Sequence, residues 1–484
     1  MPIRFFRSTT DALSTAPRAD SLVELPANSI DPDPARGWFR RILPLLRNHP
    51  RVVSLSLIGL ALDNLGVYGL PLVVRSAMDD ALVGRTRPLM PFLWLMLAIV
   101  LMRLFGDRLH RRNIIATGVL LEYDMRVLIQ DHLGRMPFEF HDEAETGQII
   151  SRANEDVAVI QQLLSFAPNM AIMYVGSVTI LIWMMRVHLG LALVVLATLP
   201  LLVFLSIRMR AVMYPVAWLI QARSADIATI VEENVAGAHV VRAMSAEEDQ
   251  IRRLDVASRR LRWAAEREIG YRATFEPLMQ GLPRMTVAGV LLIGGWLAAT
   301  GSLTIGTLVL FTTYIAHLQG SLGMLGFIVM IGQRARAASG RIFQLLDTQP
   351  TIVDSPQAID LDFPRGDVRF EDVAFGYGHE EPLLRGLNLH IPPGEKLAIV
   401  GATGSGKSTV GKLVPRFYDV SAGRILIDDV DIRALSLASL RAHVGIVMDE
   451  AFLFTTTIHA NIAYARPDAT VSEVHAAADA AGAV

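Results

Sequence analysis

Cysteine is absent from all 484 residues, which excludes disulfides, thiolate metal sites and a cysteine nucleophile. Lysine is nearly absent: Lys396, Lys407 and Lys412 are the only three, and they share one short region. Charge is scarce as well, at 19% of residues, where ordinary globular domains carry about 25%. With 52% hydrophobic residues and a mean hydropathy of +0.39, that deficit points to long stretches facing lipid. A net charge of −2 supplies no basic field, so no nucleic-acid partner is expected. Composition also excludes a mainly disordered, collagen-like or disulfide-scaffold chain. The arginine and alanine richness fits a GC-rich bacterial genome.

What is present is a series of apolar runs. Residues 1–50 are polar, carry Pro17, Pro26, Pro32 and Pro34, and lack the apolar core of a secretory signal, so they read as an uncleaved cytosolic tail. Arg36, Arg40, Arg41, Arg47 and Arg51 crowd the entrance to the first run, a positive flank that favours the cytoplasmic side. Six stretches follow, near 52–78, 88–109, 165–185, 189–208, 276–299 and 304–330. Each is close to the roughly 20 residues that a membrane-spanning helix needs. The even count returns the chain to the cytoplasm. External connections are short (79–87, Arg186 to His188, Thr300 to Ser302), whereas the internal segments 110–164 and 209–275 are long and charged, and are expected to continue as helices out of the membrane. Asp63, Asn64, Arg103, Asp107 and Arg284 lie within the spans. Ionisable groups there face a bundle interior or a wet cavity, or form structural ion pairs; Arg103 and Arg284 are also placed to snorkel.

Beyond residue 350 the character changes. Pro350, Pro356, Pro364 and several aspartates mark a linker over 348–366, between a transmembrane domain at 51–347 and a soluble domain at 367–484. Val368–Phe370, Leu397–Val400, Arg424–Ile427 and Gly445–Met448 are candidate strands in an α/β pattern. Leu397–Val400 runs into Gly401-Ala402-Thr403-Gly404-Ser405-Gly406-Lys407-Ser408-Thr409, the full G-x-x-x-x-G-K-[ST] phosphate loop. Its glycines let backbone N–H groups turn inward around phosphates, Lys407 brings positive charge to the β- and γ-phosphates, and Ser408 offers a hydroxyl to Mg²⁺. Such a loop also needs an acidic residue for the metal. Asp428-Asp429 and Asp449-Glu450, each after an apolar run, both fit, and periodicity does not choose between them.

Six spans, long cytoplasmic extensions and a phosphate-loop domain on one chain resemble an ATP-binding cassette exporter half-transporter. The phrase Phe140-His141-Asp142 with Thr146 to Val157 is similar to that family's first intracellular loop, and Glu232-Glu233 with Gly237 to Arg242 to the region after its second coupling helix. Leu303-Thr304-Ile305-Gly306 resembles the opening of the sixth span, and Ala338 to Asp347 its ending. The resemblance implies an all-α six-helix membrane domain followed by a partial α/β nucleotide-binding domain. It implies coupling helices near 140–157 and 215–235, and Tyr377 of Phe375-Gly376-Tyr377 as the adenine-stacking residue. It turns Asp428 and Asp429 into part of a strand pair, and puts Asp449 at the Q-loop, where Met448-Asp449 replaces the family's Pro-Gln. Asp449 is then a modified metal ligand beside Ser408.

The resemblance further implies ATP and Mg²⁺ as cofactors, a second half-transporter as partner (homodimer or heterodimer), and an unidentified small or amphiphilic substrate. The location implied is the cytoplasmic membrane, multi-pass, with N-terminus and nucleotide domain inside. The family continues past the Asn461–Tyr464 region into a Leu-Ser-Gly-Gly-Gln signature, a Walker B strand with the catalytic glutamate, and a switch histidine. No Ser-Gly-Gly occurs here, so no catalytic residue is assigned, and the expectation is a half-transporter cut short in its nucleotide domain that does not hydrolyse ATP alone. The alternative is a non-hydrolysing regulatory or structural subunit paired with a complete half-transporter.

Overall fold

Long helices dominate the first two-thirds of the chain because their apolar runs have no polar punctuation to end them. The computed structural model describes residues 25–378, 381–447 and 452–483. Contacts divide these residues into two units: one holds the chain up to Gly134 together with Thr146–Thr348, and the other holds Arg135–Glu145 and the residues from Gln349 onward.

In the first unit, a short amphipathic helix α1 (Trp38–Leu46) precedes α2 (Pro50–Ser76), which starts on a proline whose missing N–H would be an orphan at that position anyway. α3 (Leu89–Arg135) follows; α4 (Phe138–Glu143) belongs to the second unit; then come α5 (Val157–Val187), α6 (Leu189–Ala236), α7 (Glu247–Ala299), α8 (Ile305–Gly323) and α9 (Leu325–Asp347). Among the described residues, six helical segments are long and apolar enough to cross a membrane: Pro50–Val83, Leu89–Arg135, Thr146–Val187, Leu189–Ala236, Glu247–Ala299 and Ile305–Asp347. Each runs well past its apolar part, as the charged internal segments led one to expect. Side chains such as Trp94, Leu104, Phe105 and Leu292 are more than half exposed, as lipid-facing groups should be.

α6 and α7 pack along each other, and Met184, Leu191, Val195, Val290, Phe311 and Tyr314 form a fully buried cluster between α5, α6, α7 and α8. Polar links pin the rest. Arg41 reaches Asp347 at 2.6 Å with its guanidinium 4.0 Å above the Phe343 ring, and Arg341 pairs with the buried Asp156. Within the spans, Arg103 pairs with Asp63 at 3.3 Å, and Asn64 bonds back to the Leu60 carbonyl, so the structural ion pair is the arrangement seen. The expected coupling helix at 215–235 is not a separate element: those residues lie inside α6, Pro215 included, and the break comes at Gly237, before a short helix Ala238–Ala243. A proline within a long helix is tolerated where neighbouring groups re-satisfy the freed carbonyl.

The second unit is built on four antiparallel strands: β1 (Val368–Phe375), β2 (Leu384–Ile391), β3 (Ala422–Ile427) and β4 (Val430–Asp431), in the order β2-β1-β3-β4. Phe370, Val373, Phe375, Ile425 and Ile427 send alternate side chains into a core completed by Val410 and Leu413 of helix α10 (Lys407–Leu413) and Leu440 of α11 (Leu437–His443). Gly423 is required where β3 leaves the turn: its φ is +78°, and a Cβ there would come within 2.4 Å of the Glu371 and Asp372 carbonyls. Two further helices, α12 (Ile458–Ile462) and α13 (Val471–Ala480), close the described chain.

Two expected strands do not form. Leu397–Val400 and the described part of Gly445–Met448 carry no ladder bonds, and Val400 and Val447 are 89% and 99% exposed. A strand exists only through its neighbour, and among the described residues neither segment has one.

Candidate functional site

The phosphate loop lies between β2 and α10. Gly404 and Gly406 have φ of +83° and +85°, left-handed conformations open to glycine at no steric cost. At Gly406 a Cβ would also sit 2.9 Å from the Leu384 side chain, which would have to shift. Gly406 then accepts the Val410 amide and opens α10. The Lys407 ammonium folds back over the loop and donates to the carbonyls of Gly401 (2.9 Å) and Ala402 (2.7 Å). Gly401, Ala402, Thr403, Gly404, Ser405 and Ser408 are exposed along it. A helix follows the loop as expected, whereas the strand before it does not form.

Thr409 is 4% exposed and turned away from the loop, with its hydroxyl 3.1 Å from that of Tyr377. The structure therefore joins two residues that the sequence marked for separate reasons. Tyr377 packs its ring at near right angles to Phe375 (5.0 Å between centroids) and Tyr418 (5.2 Å), an edge-to-face arrangement that fixes the plane of the ring. Beside it is a cavity of about 580 Å³, bounded by Tyr377, Gly378, Tyr418 and the acidic Glu139, Asp142 and Asp419.

Asp428 and Asp429 occupy the β3–β4 turn with φ of +48° and +69°, a conformation that suits tight hairpins and that aspartate tolerates. Asp428 accepts the backbone N–H groups of Arg365 and Asp367, and Asp429 pairs with Arg369 at 2.7 Å. Both carboxylates are committed to the turn. Asp449 lies outside the described residues. No cluster of three or more His, Cys, Asp or Glu that could hold a metal is found among the described residues.

Sequence reasoning passed over the aromatic bridge to the segment 135–145. Phe138 stacks on Phe417 with centroids 4.3 Å apart, and the Tyr418 hydroxyl donates to the Asp142 carboxylate at 2.5 Å. Burial, and next the Asp142 carboxylate, push Tyr418 well above the ordinary tyrosine range. Phe417-Tyr418, two adjacent aromatics just past the phosphate-loop helix, were the available signal. A line of contacts thus runs from α4 through Tyr418 and Tyr377 to Thr409, which follows the Lys407-Ser408 pair directly.

Comparison with known proteins gives two family matches: the profile described as "ABC transporter transmembrane region" over residues 53–322, and the one described as "ABC transporter" over 384–483. A "Multidrug efflux ATP-binding/permease protein" of Mycobacterium bovis is 35% identical over 422 residues, covering 85% of this chain and 34% of that protein. An "ATP-dependent lipid A-core flippase" of Syntrophus aciditrophicus is 30% identical over 449 residues, covering 92% of this chain and 74% of that one. The chain therefore spans about a third of the length of the mycobacterial relative and about three-quarters of the flippase. Among solved structures, that of a bacterial Atm1-family ABC exporter with ATP bound is 26% identical with a TM-score of 0.67, covering 89% of this chain and 77% of that one.

Proposed function

This chain belongs to the ATP-binding cassette transporter family, and from that premise we propose that it is one half of a dimeric exporter that uses ATP with Mg²⁺ at the Gly401–Thr409 loop. The observation that carries the reading is the pairing of six spanning segments with that loop on one chain, where left-handed Gly404 and Gly406 leave room for a close anionic ligand.

The residues present fit a nucleotide. Loop amides and the Lys407 ammonium would hold the phosphates, which would replace the Gly401 and Ala402 carbonyls as its acceptors. Ser408 would meet Mg²⁺, with Asp449 as second ligand, and the Tyr377 ring would take the purine. ATP supplies the free energy of phosphoryl transfer to water. The chain's own contribution is to position the ring through Thr409 and Tyr418 and to tie it to α4 through Asp142. Changes at the nucleotide site then move the 135–145 segment, and the paired membrane halves alternate between inward- and outward-facing states.

The arginines between Arg36 and Arg51 support an N-terminus and cassette in the cytoplasm. The apolar spans, and relatives named for multidrug efflux and for lipid A-core flipping, support an amphiphilic substrate. The partner is a second half-transporter. In the proposed dimer, turnover at this loop would need the partner's cassette across the bound nucleotide.

The test uses the purified chain in lipid nanodiscs. A fluorescent ATP analogue should bind in wild type, and Lys407→Ala should weaken binding about tenfold or more, as loss of a charge-assisted contact does. Absence of binding would sink the nucleotide assignment. Steady-state ATP hydrolysis by the chain alone, abolished by the same substitution, would sink the claim that it needs a partner.

A further inference from the structure

The cavity bounded by Leu46, Val53, Leu57, Leu121, Leu164 and Ala171 lies in the first unit, between α1, α2, α3 and α5, and encloses about 280 Å³. That is at the small end of ligand pockets, which run from roughly 300 to 1,000 Å³. Three hydroxyl residues also line it, and each already has a partner. Ser56 is 3.1 Å from His110 Nδ1, Thr117 donates to the Asn113 carbonyl at 2.8 Å, and Ser165 accepts from Gln161 at 3.2 Å. A space lined mainly by aliphatic and aromatic side chains takes an apolar occupant.

The chain next to these lining residues has the opposite character. Phe39 and Leu46 line the cavity from α1, and the next residue after each is an arginine, Arg40 and Arg47; Arg51 opens α2 two residues before the lining Val53. All three arginines are exposed and form no ion pair among the described residues. Their neighbour Arg41 is by contrast committed to Asp347. Asp124, a buried carboxylate, is bonded by Asn48 and His49, each at 3.0 Å, and pairs with none of the three arginines. α1 also exposes Phe39 and Leu43, giving it an apolar side and a basic side suited to a bilayer surface.

We propose that this cavity seats one acyl chain of an anionic glycerophospholipid, with the headgroup phosphate held by Arg40, Arg47 and Arg51, as a bound lipid distinct from the transported substrate. The cavity supplies the chain-length grip and the arginines the headgroup choice: a zwitterionic lipid would keep the first and lose much of the second, because its own cation competes for the phosphate.

The full chain, purified in detergent, is mixed with equal amounts of phosphatidylglycerol and phosphatidylcholine and weighed by native mass spectrometry. Phosphatidylglycerol should be retained roughly fivefold or more over phosphatidylcholine, since each unpaired arginine is worth about that factor toward an anionic surface. A phosphatidylglycerol with a diazirine on its acyl chain should cross-link to peptides spanning 114–121 and 164–171. Arg40→Ala with Arg47→Ala and Arg51→Ala, exposed changes that leave packing alone, should abolish the preference without lowering phosphatidylcholine retention. Ala167→Phe, which fills the cavity, should remove the cross-links to both peptides. Equal retention of the two lipids, or cross-links confined to other helices, would overturn the proposal. Competition by glycerol phosphate at equal concentration would overturn it too, by showing that the phosphate alone is bound. So would cross-linking that vanishes as the chain dimerises, which would make a second copy the occupant.

Discussion

The hydroxyl of Tyr418 donates to the carboxylate of Asp142 at 2.5 Å, across 276 positions of sequence. The bond closes a contact between α4 and the stretch between α10 and β3, and it shifts the titration of Tyr418.

Because burial and Asp142 raise the Tyr418 pKa, the neutral phenol is favoured in the folded state. The associated stability is fully present below the unfolded tyrosine value of about 10 and is lost as pH climbs from there toward the higher folded value. Asp142→Asn should bring the tyrosinate absorbance onset down toward the ordinary value, short of reaching it because burial remains. It should also raise hydrogen exchange in 135–145, with a cost of about 1 kcal/mol. An unchanged alkaline onset would show that the carboxylate does not couple to the phenol.

Tyr377→Phe keeps the ring and deletes the hydroxyl that meets Thr409. Fluorescent ATP-analogue binding should weaken by about 1 kcal/mol or less, through looser ring placement. Tyr377→Ala removes the ring itself and should cost about 1–3 kcal/mol, the range for base–aromatic stacking. Equal effects of the two substitutions would place the hydroxyl, rather than the ring face, at the centre of recognition.

In the membrane unit, Asp63→Asn strips Arg103 of its carboxylate partner within an apolar span. The cost should be about 2–3 kcal/mol, seen as a lower thermal midpoint in detergent. Asp63→Asn combined with Arg103→Leu should regain most of it, because no charge is then left behind. A double variant as unstable as the single one would show that the pair is not coupled.

At the start of α13, Thr470 and Glu473 cap each other. The Thr470 backbone N–H, then its hydroxyl, and then Arg466 hold Glu473 below the usual carboxylate range. The stabilisation is present above the unfolded carboxylate value of about 4.3 and fades as pH falls through the lower folded value. Hydrogen exchange in 471–480, corrected for intrinsic rate, should accelerate over that acid range in wild type and lose this dependence in Glu473→Gln.

The six spans were legible because membrane insertion depends on local composition, which sequence records directly. Their cytoplasmic continuation was legible too: the long charged segments were expected to run on as helices, and α3 reaches Arg135 and α6 Ala236. The second coupling region was not, since 215–235 lies inside α6 and the break comes at Gly237. The phosphate loop and Tyr377 were legible as contiguous motifs. Leu397–Val400 read as a strand because β-branched and apolar residues favour one, yet pairing is non-local and no ladder forms there. The Phe138–Phe417 stack and the Tyr418–Asp142 bond were invisible for the same reason: each needs two distant segments to meet.

The order β2-β1-β3-β4 has a bearing on biosynthesis. Both strands that bracket the nucleotide loop, β2 before it and β3 after it, pair with β1, and the four strands described here all precede residue 432. Translation proceeds at roughly 5–20 residues per second and domains fold from the N-terminal side. As soon as Asp431 clears the ribosome, the nascent chain holds β1 to β4, and Gly401–Thr409 is cinched at both ends into a closed loop. The phosphate-binding segment can thus be given its shape while the ribosome is still adding the residues that follow.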